Sequence, residues 1–358
     1  MINLYLSFDE INRPFKFFNN KDLFKKYGIN LVNDIEKCDF ILYLSGMGYN
    51  YYRKDLEYFW TNDSEQWDFF KREEPHLISF IEKGKKIILY NRSDGAISLS
   101  WLFNTKLYKN YHDKIIIFKD YNFKTDFFKE KKEIPLFGDA GGGGHHKYLI
   151  QKYFPESLNL INYCTEKIFS EDFYKYDKIK VFTFKFDSYG WLYQNYDKNN
   201  DVLNKPIDVM FIKHYRPQLF NDFHRNKIKD ILNSYNKYNI ETDSCDPHQY
   251  LNILAKSKIC ISAWGMGECV YDDWKGILNN TIILKPDTSY MKDYYGIYDP
   301  SNEIIVYFKP DLSNLKEKIE EIISNYPYYL NKVQKAKEYL VNTFTEERHV
   351  KDFCNMII

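Results

Sequence analysis

Short apolar runs recur along this chain, each followed by a stretch whose apolar positions return at helical spacing. Ile2 to Phe8 opens the series as a strand, Lys21 to Tyr27 reads as a helix, and Gly28 stops it. Asp39 to Leu44 is the next strand, and an aromatic, polar insertion then runs to about Lys71. Pro75 to Lys83 is a helix with Gly84 at its C′ position, Lys86 to Tyr90 a strand, Ala96 to Phe103 a helix and Ile115 to Phe118 a further strand. Val181 to Phe186 alternates and closes the first half. Apolar runs this short and continuous suit strands buried on both faces of a parallel sheet. Strand–helix alternation of this kind predicts a doubly wound α/β sheet.

Gln194 to Lys205 is polar and rich in Asn and Asp, which predicts a linker. A second series follows. Ile207 to Ile212 is a strand, and Phe220, Phe223, Ile228, Ile231, Leu232 and Tyr235 mark a helix with one buried face. Tyr238 to Glu241 is a short strand, and Asp246-Pro247 is an N-cap followed by proline, a good helix start. Ile259 to Ile261 is a buried strand, Glu268 opens a helix, and Thr281 to Leu284 is the next strand. Ile304 to Phe308, a helix from Asp311 to Ser324, and closing helices over Tyr328–Phe344 and Glu346–Ile358 complete the chain. The pattern divides into an N-terminal α/β unit over 1–200, a second over 206–342, and a helix within 345–358 placed to pack back on the first.

The stretch between the strands at Ile261 and Thr281 carries the sharpest functional signal. Two parallel strands joined by a helix put the intervening Trp264-Gly265-Met266-Gly267-Glu268 loop at the strands' carboxyl ends, where open α/β sheets bind ligands. Amides at that helix start would face an anion. His214 and Arg216 follow another strand's carboxyl end and are either a surface pair or a phosphate contact, and Ser262 adjoins the loop. In the first half, Gly46 and Gly48 form a strand-end turn. Asp94, after a strand, is either a turn residue before Gly95 or a general base for a hydroxyl. The run Gly141 to Gly144 is either a surface loop or a phosphate cradle, with Gly142 and His145 on the acceptor side under the second reading. No carboxylate or cysteine sits at ligand spacing beside His145 and His146, so solvated histidines are expected and no metal site is assigned.

Composition narrows the classes. A chain of 358 residues is long for one core, which agrees with two units. Lys+Arg and Asp+Glu are both 50, so no global field draws nucleic acid or an anionic membrane. The six cysteines form no CxxC pair, which excludes zinc-ribbon and redox-motif readings and fits reduced thiols in a cytoplasmic protein. No basic-then-apolar leader opens the chain, and no apolar run is long enough to span a bilayer. Aromatics reach 19%, with many Lys, Asn and Ile residues beside them, which reads as codon bias more than as sugar platforms.

The residues from Tyr250-Leu251 through Ser257-Lys258-Ile259-Cys260-Ile261-Ser262-Ala263-Trp264-Gly265-Met266-Gly267-Glu268 resemble the donor half of group-1-type glycosyltransferases. So do Ile283 to Asp287, Ile305 to Leu312 with the helix after it, and His224-Arg225. The likeness covers roughly the last 150 residues. It implies a GT-B architecture, two Rossmann-like domains facing across a cleft. A nucleotide sugar would bind the C-terminal half and a saccharide or other hydroxyl acceptor the N-terminal half, with no cofactor and no metal ion. It further implies donor contacts from His214, Arg216, Arg225, Ser262, Gly265, Met266, Gly267, Glu268, Tyr271, Asp272 and Lys275.

One departure stands out. Asp272 occupies the place of the family's phosphate-binding Arg, and Lys275 that of its ribose-binding Glu. The two charges are exchanged, one helical turn apart. An Asp beside a diphosphate is repulsive, and a lysine accepts no hydroxyl proton. Three readings therefore stand: a metal-independent glycosyltransferase, a partner or glycan-binding protein of the same shape without turnover, and another nucleotide-sugar enzyme on the same frame.

Overall fold

A computed structural model describes residues 1–7, 16–45, 74–91, 100–137, 145–160, 165–183, 202–212, 221–265 and 267–358. The strands of the N-terminal half are β1 (Ile2–Leu6), β2 (Ile29–Val32), β3 (Phe40–Ser45), β4 (Lys86–Asn91), β5 (Ile115–Lys119), β6 (Tyr121–Phe123), β7 (Glu133–Phe137), β8 (Thr165–Phe169) and β9 (Lys180–Val181). Those of the C-terminal half are β10 (Ile207–Met210), β11 (Ile240–Glu241), β12 (Ser257–Ile261), β13 (Ile282–Pro286), β14 (Met291–Asp293) and β15 (Ile305–Phe308). The helices that bear on the site are α1 (Lys21–Lys26), α2 (74–82), α3 (His145–Tyr153), α4 (Asn221–Asn233), α5 (Pro247–Ala255), α6 (Tyr271–Leu278), α7 (Leu315–Ser324), α8 (Tyr326–Thr343) and α9 (Glu346–Ile357).

Two all-parallel sheets result. The first runs β2-β1-β3-β4-β5-β9 and the second β11-β10-β12-β13-β15. In each, the order reverses beside the first strand of the series, the mark of a doubly wound Rossmann-like lobe. The buried strand cores follow from sequence. Ile87 to Tyr90 and Ile282 to Leu284 are shielded on both faces because helices cover both sides. Of the alternating Val181–Phe186 run, Val181 lies in the short β9 and pairs with Lys119. Residues 184–186 of that run lie outside the described set.

The C-terminal helix crosses back to the first lobe. Thr345 caps α9 by accepting from the Arg348 N–H at 3.2 Å. Val350, Phe353, Cys354 and Ile357 then sit on one face and pack with Phe18, Phe24, Phe118 and Phe182. Lys26 and Tyr27 both bond Glu347, at 2.5 and 2.7 Å.

Two smaller antiparallel pairs were not legible in the sequence pattern. β7 and β8 form a hairpin-like ribbon, Ile134 opposite Ile168. β6 of the first lobe pairs with β14 of the second, Phe123 opposite Met291. One apolar cluster accordingly runs through both lobes, joining Leu89, Phe103 and Phe123 to Tyr250, Trp274, Met291 and Leu340. Lys205, at the end of the expected polar linker, is buried rather than solvated. Its ammonium donates to Ser257 O, Asn279 O, Asn280 O and Thr281 Oγ1 at 2.9–3.0 Å. The linker's last residue therefore anchors the N-terminal ends of the second sheet.

Candidate functional site

β12 is a central strand, hydrogen-bonded between β10 and β13, and the chain leaves it at the carboxyl edge. Ser262 extends the ladder by one bond, its N–H to Leu284 O at 2.9 Å. The turn then closes on itself through Gly265 N–H to Gly267 O at 3.1 Å. A Cβ at Gly265 would stand 2.9 Å from Val270 Cγ1, inside contact distance, so glycine is required here by close approach. Of the turn's amides, that of Gly265 is engaged within the turn itself, and Gly265 and Gly267 are buried.

The helix also begins later than the sequence implies. α6 starts at Tyr271, and the Val270 N–H is taken by the helix's own Asp273 at 3.3 Å. Asp273 is fully buried and collects further partners. Ser262 Oγ and the Tyr298 hydroxyl donate to it, and the Lys285 ammonium lies 3.1 Å away, itself fully buried. The Ser262 hydroxyl, expected on the donor, is thus committed to Asp273. A buried charge pair holds only with its remaining valences satisfied, and Ser262, Tyr298 and the Val270 amide supply them. In sequence Lys285 directly follows the apolar run Thr281 to Leu284.

Glu268, expected to open α6, instead crosses to the other lobe. Its Oε1 accepts from the backbone N–H of His145 at 2.7 Å and of His146 at 3.3 Å. His146 Nδ1 lies 3.3 Å from the same oxygen, close enough for an ion pair though not aligned as a hydrogen bond. Glu268 and His146 are both 0% exposed. A carboxylate at the first turn of α3 meets the helix's positive end. Burial pushes the Glu268 carboxyl up, but the His146 ring and the backbone N–H groups outweigh it, leaving the group at about 2. The solvated-histidine expectation is therefore corrected: the pair is buried because the helix start needs an acceptor and Glu268 provides it. Burial lowers the His145 imidazole to about 4.

Around this link stands a set of aromatic and polar groups. Trp264, 1% exposed, stacks on His224 at 5.1 Å and approaches His146 at 5.8 Å. His224 is held by Pro310 O at 3.0 Å, and burial lowers its imidazole to about 4. Arg225 donates from Nε to Trp264 O at 2.9 Å, and its Nη2 lies 3.6 Å from where a Gly265 Cβ would be. Tyr290 faces the His145 ring at 5.3 Å. Among the described residues, Glu268 Oε2, Trp264 Nε1, His224 Nδ1 and the Tyr290 hydroxyl are shielded from solvent and have no hydrogen-bond partner. Buried polar atoms left this way are rare and ask for an explanation.

The structure thus gathers Arg225, Gly265, Gly267, Glu268 and His145 at one junction. It adds His146, Trp264, His224 and Tyr290, which the sequence reading had not placed in a site. Asp272 and Lys275 pair with each other at 3.5 Å, and the lysine lies over the Tyr250 ring at 5.1 Å. The exchanged charges therefore meet on α6. Asp94, Gly46, Gly48, Gly142, His214, Arg216 and Met266 lie outside the described residues. Among the described residues no group of His, Cys, Asp and Glu has the arrangement of a metal site.

No protein-family model matches the sequence, and no curated protein does. Among solved structures, the chain is similar to an alpha-glucosyltransferase in complex with UDP-glucose and DNA containing an abasic site. That likeness has 13% identity and a TM-score of 0.44, covering 99% of this chain and 98% of that one. It is similar to a sucrose-phosphate synthase from Thermosynechococcus elongatus at 9% identity and a TM-score of 0.48, covering 100% and 98%. It is also similar to the glycotransferase of kitacinnamycin at 11% identity and a TM-score of 0.39, covering 99% and 98%. Overlaps this shallow leave the chemistry to be read from the residues themselves.

Proposed function

We propose that this chain is a glycosyltransferase that moves a sugar from a nucleotide-diphosphate donor to a glycan or other hydroxyl acceptor without a metal ion. The observation that carries the reading is the half-satisfied carboxylate of Glu268. It lies at the carboxyl edge of β12, between two Rossmann-like lobes, and one of its oxygens is engaged while the other has no partner among the described residues. A sugar hydroxyl is the kind of donor that Oε2 lacks, and Trp264 Nε1 offers a donor in return. Arg225, against the Gly265 turn, supplies positive charge for a diphosphate. His214 and Arg216 join it in this reading, and Asp94 serves as base toward the acceptor hydroxyl.

The test is a thermal-shift panel of UDP- and GDP-sugars, followed by an assay for nucleoside diphosphate release with and without chelator. A shift with one donor class and release that survives chelation are expected. No shift and no release with any donor would sink the reading. One observation favours a second reading, a non-catalytic protein of the same shape: Asp272 and Lys275 bond each other. Turnover that Lys275→Ala abolishes would exclude it.

A further inference from the structure

The second lobe touches the start of α3 from two sides. Glu268 bonds the His145 and His146 amides from one. Tyr290 packs its ring on His145 at 5.3 Å from the other, and its carbonyl accepts from the Lys124 N–H at 2.9 Å. Tyr290 immediately precedes β14, the strand that pairs with β6 of the first lobe. The first residue of α3 is therefore clamped between two parts of the other lobe, although Glu268 is 123 positions away in sequence. Glu268 is also the residue directly after Gly267, whose carbonyl closes the turn onto Gly265. A displacement of that turn moves the carboxylate, and the carboxylate holds two amides of a helix in the opposite lobe. Charge-assisted bonds in a shielded setting are strong enough to carry such a displacement.

We infer that Glu268 is a positioning residue that couples the Gly265–Gly267 turn of the second lobe to α3 of the first, so that occupancy at the turn is transmitted to the N-terminal lobe. The ligand arm of this inference rests on the transferase reading, and the coupling itself does not.

Hydrogen exchange on the full chain tests both arms, with UDP-glucose and GDP-mannose as probes. In the ligand-free protein, amides at 145–148 are expected to exchange about tenfold faster or more in Glu268→Ala than in the native chain. Glu268→Gln, which keeps an acceptor, should fall between. With a probe that binds, native protein should gain protection both at 267–278 and at 145–153. If a probe protects 267–278 but leaves 145–153 unchanged in the native chain, or if the ligand-free exchange of 145–148 is unchanged in Glu268→Ala, the coupling is overturned. If neither probe alters the native chain while the variant's 145–148 amides still exchange faster, the coupling stands and the transferase reading loses its support. Should Glu268→Ala fail to fold, Glu268→Gln is read by the same outcomes.

Discussion

Two carboxylates five positions apart, Glu268 and Asp273, are both fully buried, and they are opposites in how they are satisfied. Asp273 faces inward, with Ser262, Tyr298, the Val270 amide and Lys285 around its two oxygens. Glu268 faces the other lobe, with one oxygen on two amides and the other without a partner among the described residues. A closed network of this kind fixes a structure, whereas an open valence in a shielded place marks where a ligand would complete it. Burial alone would have rated the two residues equally.

The largest expected effect breaks the closed side. Asp273→Ala leaves the Lys285 ammonium buried without its counter-charge and should cost about 3–5 kcal/mol in denaturant unfolding. Lys285→Met added to it should restore part of that loss. If Asp273→Ala unfolds like the native chain, the structural assignment of this carboxylate is wrong.

Acid comes next. Burial lowers the imidazoles of His145 and His224 to about 4 and of His349 to about 3, below the usual 6.5. The unfolded chain therefore binds protons first, and stability present above pH 6.5 is lost as pH falls toward 3–4, on the order of 3–5 kcal/mol for each histidine. Glu268, held at about 2 against 4.5, adds a loss between those values in the same direction. Urea midpoints followed from pH 7 to pH 4 should fall steadily. A flat profile would show these rings exposed.

Packing behind the network gives a middle effect. A Cβ at Gly276 would stand 2.1 Å from Ile283 Cδ1, so Gly276→Ala should cost about 1–3 kcal/mol and lower the melting temperature without altering a nucleotide-sugar shift. Glu268→Gln retains an acceptor for the α3 amides and should cost only about 1 kcal/mol, yet it should remove most of any shift produced by a donor. An equal response in native and variant chains would place the ligand elsewhere. Smallest is Lys275→Ala. Its ion pair with Asp272 is partly exposed, at 24% and 39% for the two side chains. Its loss should change stability by less than about 0.5 kcal/mol, read from chemical denaturation.

Much of the scaffold could be read from the chain. The apolar runs at Ile87–Tyr90, Ile259–Ile261 and Thr281–Leu284 announced buried parallel strands, and the Tyr250–Asp287 segment announced the corner that faces the first lobe. Arg225, Gly265, Gly267, Glu268 and His145 do converge there. Partners were not legible: His145 and His146 are buried where solvated rings were expected, and Lys205 is buried where a polar linker was expected. Each of these side chains is polar, and local sequence gives a polar residue no means of showing that its partner lies far away along the chain.

What the sequence determined is therefore what short-range physics controls. The strand and helix periods are there, as are the two α/β series and the glycine-punctuated turn at Gly265 and Gly267. What tertiary structure decided is every bond that closes over distance: Glu268 on α3, Asp273 with Lys285 and Tyr298, β6 on β14, and α9 on the first sheet. A period of two or 3.6 records which face of an element is covered. It carries no record of what covers it, and buried polar groups depend on that for their stability.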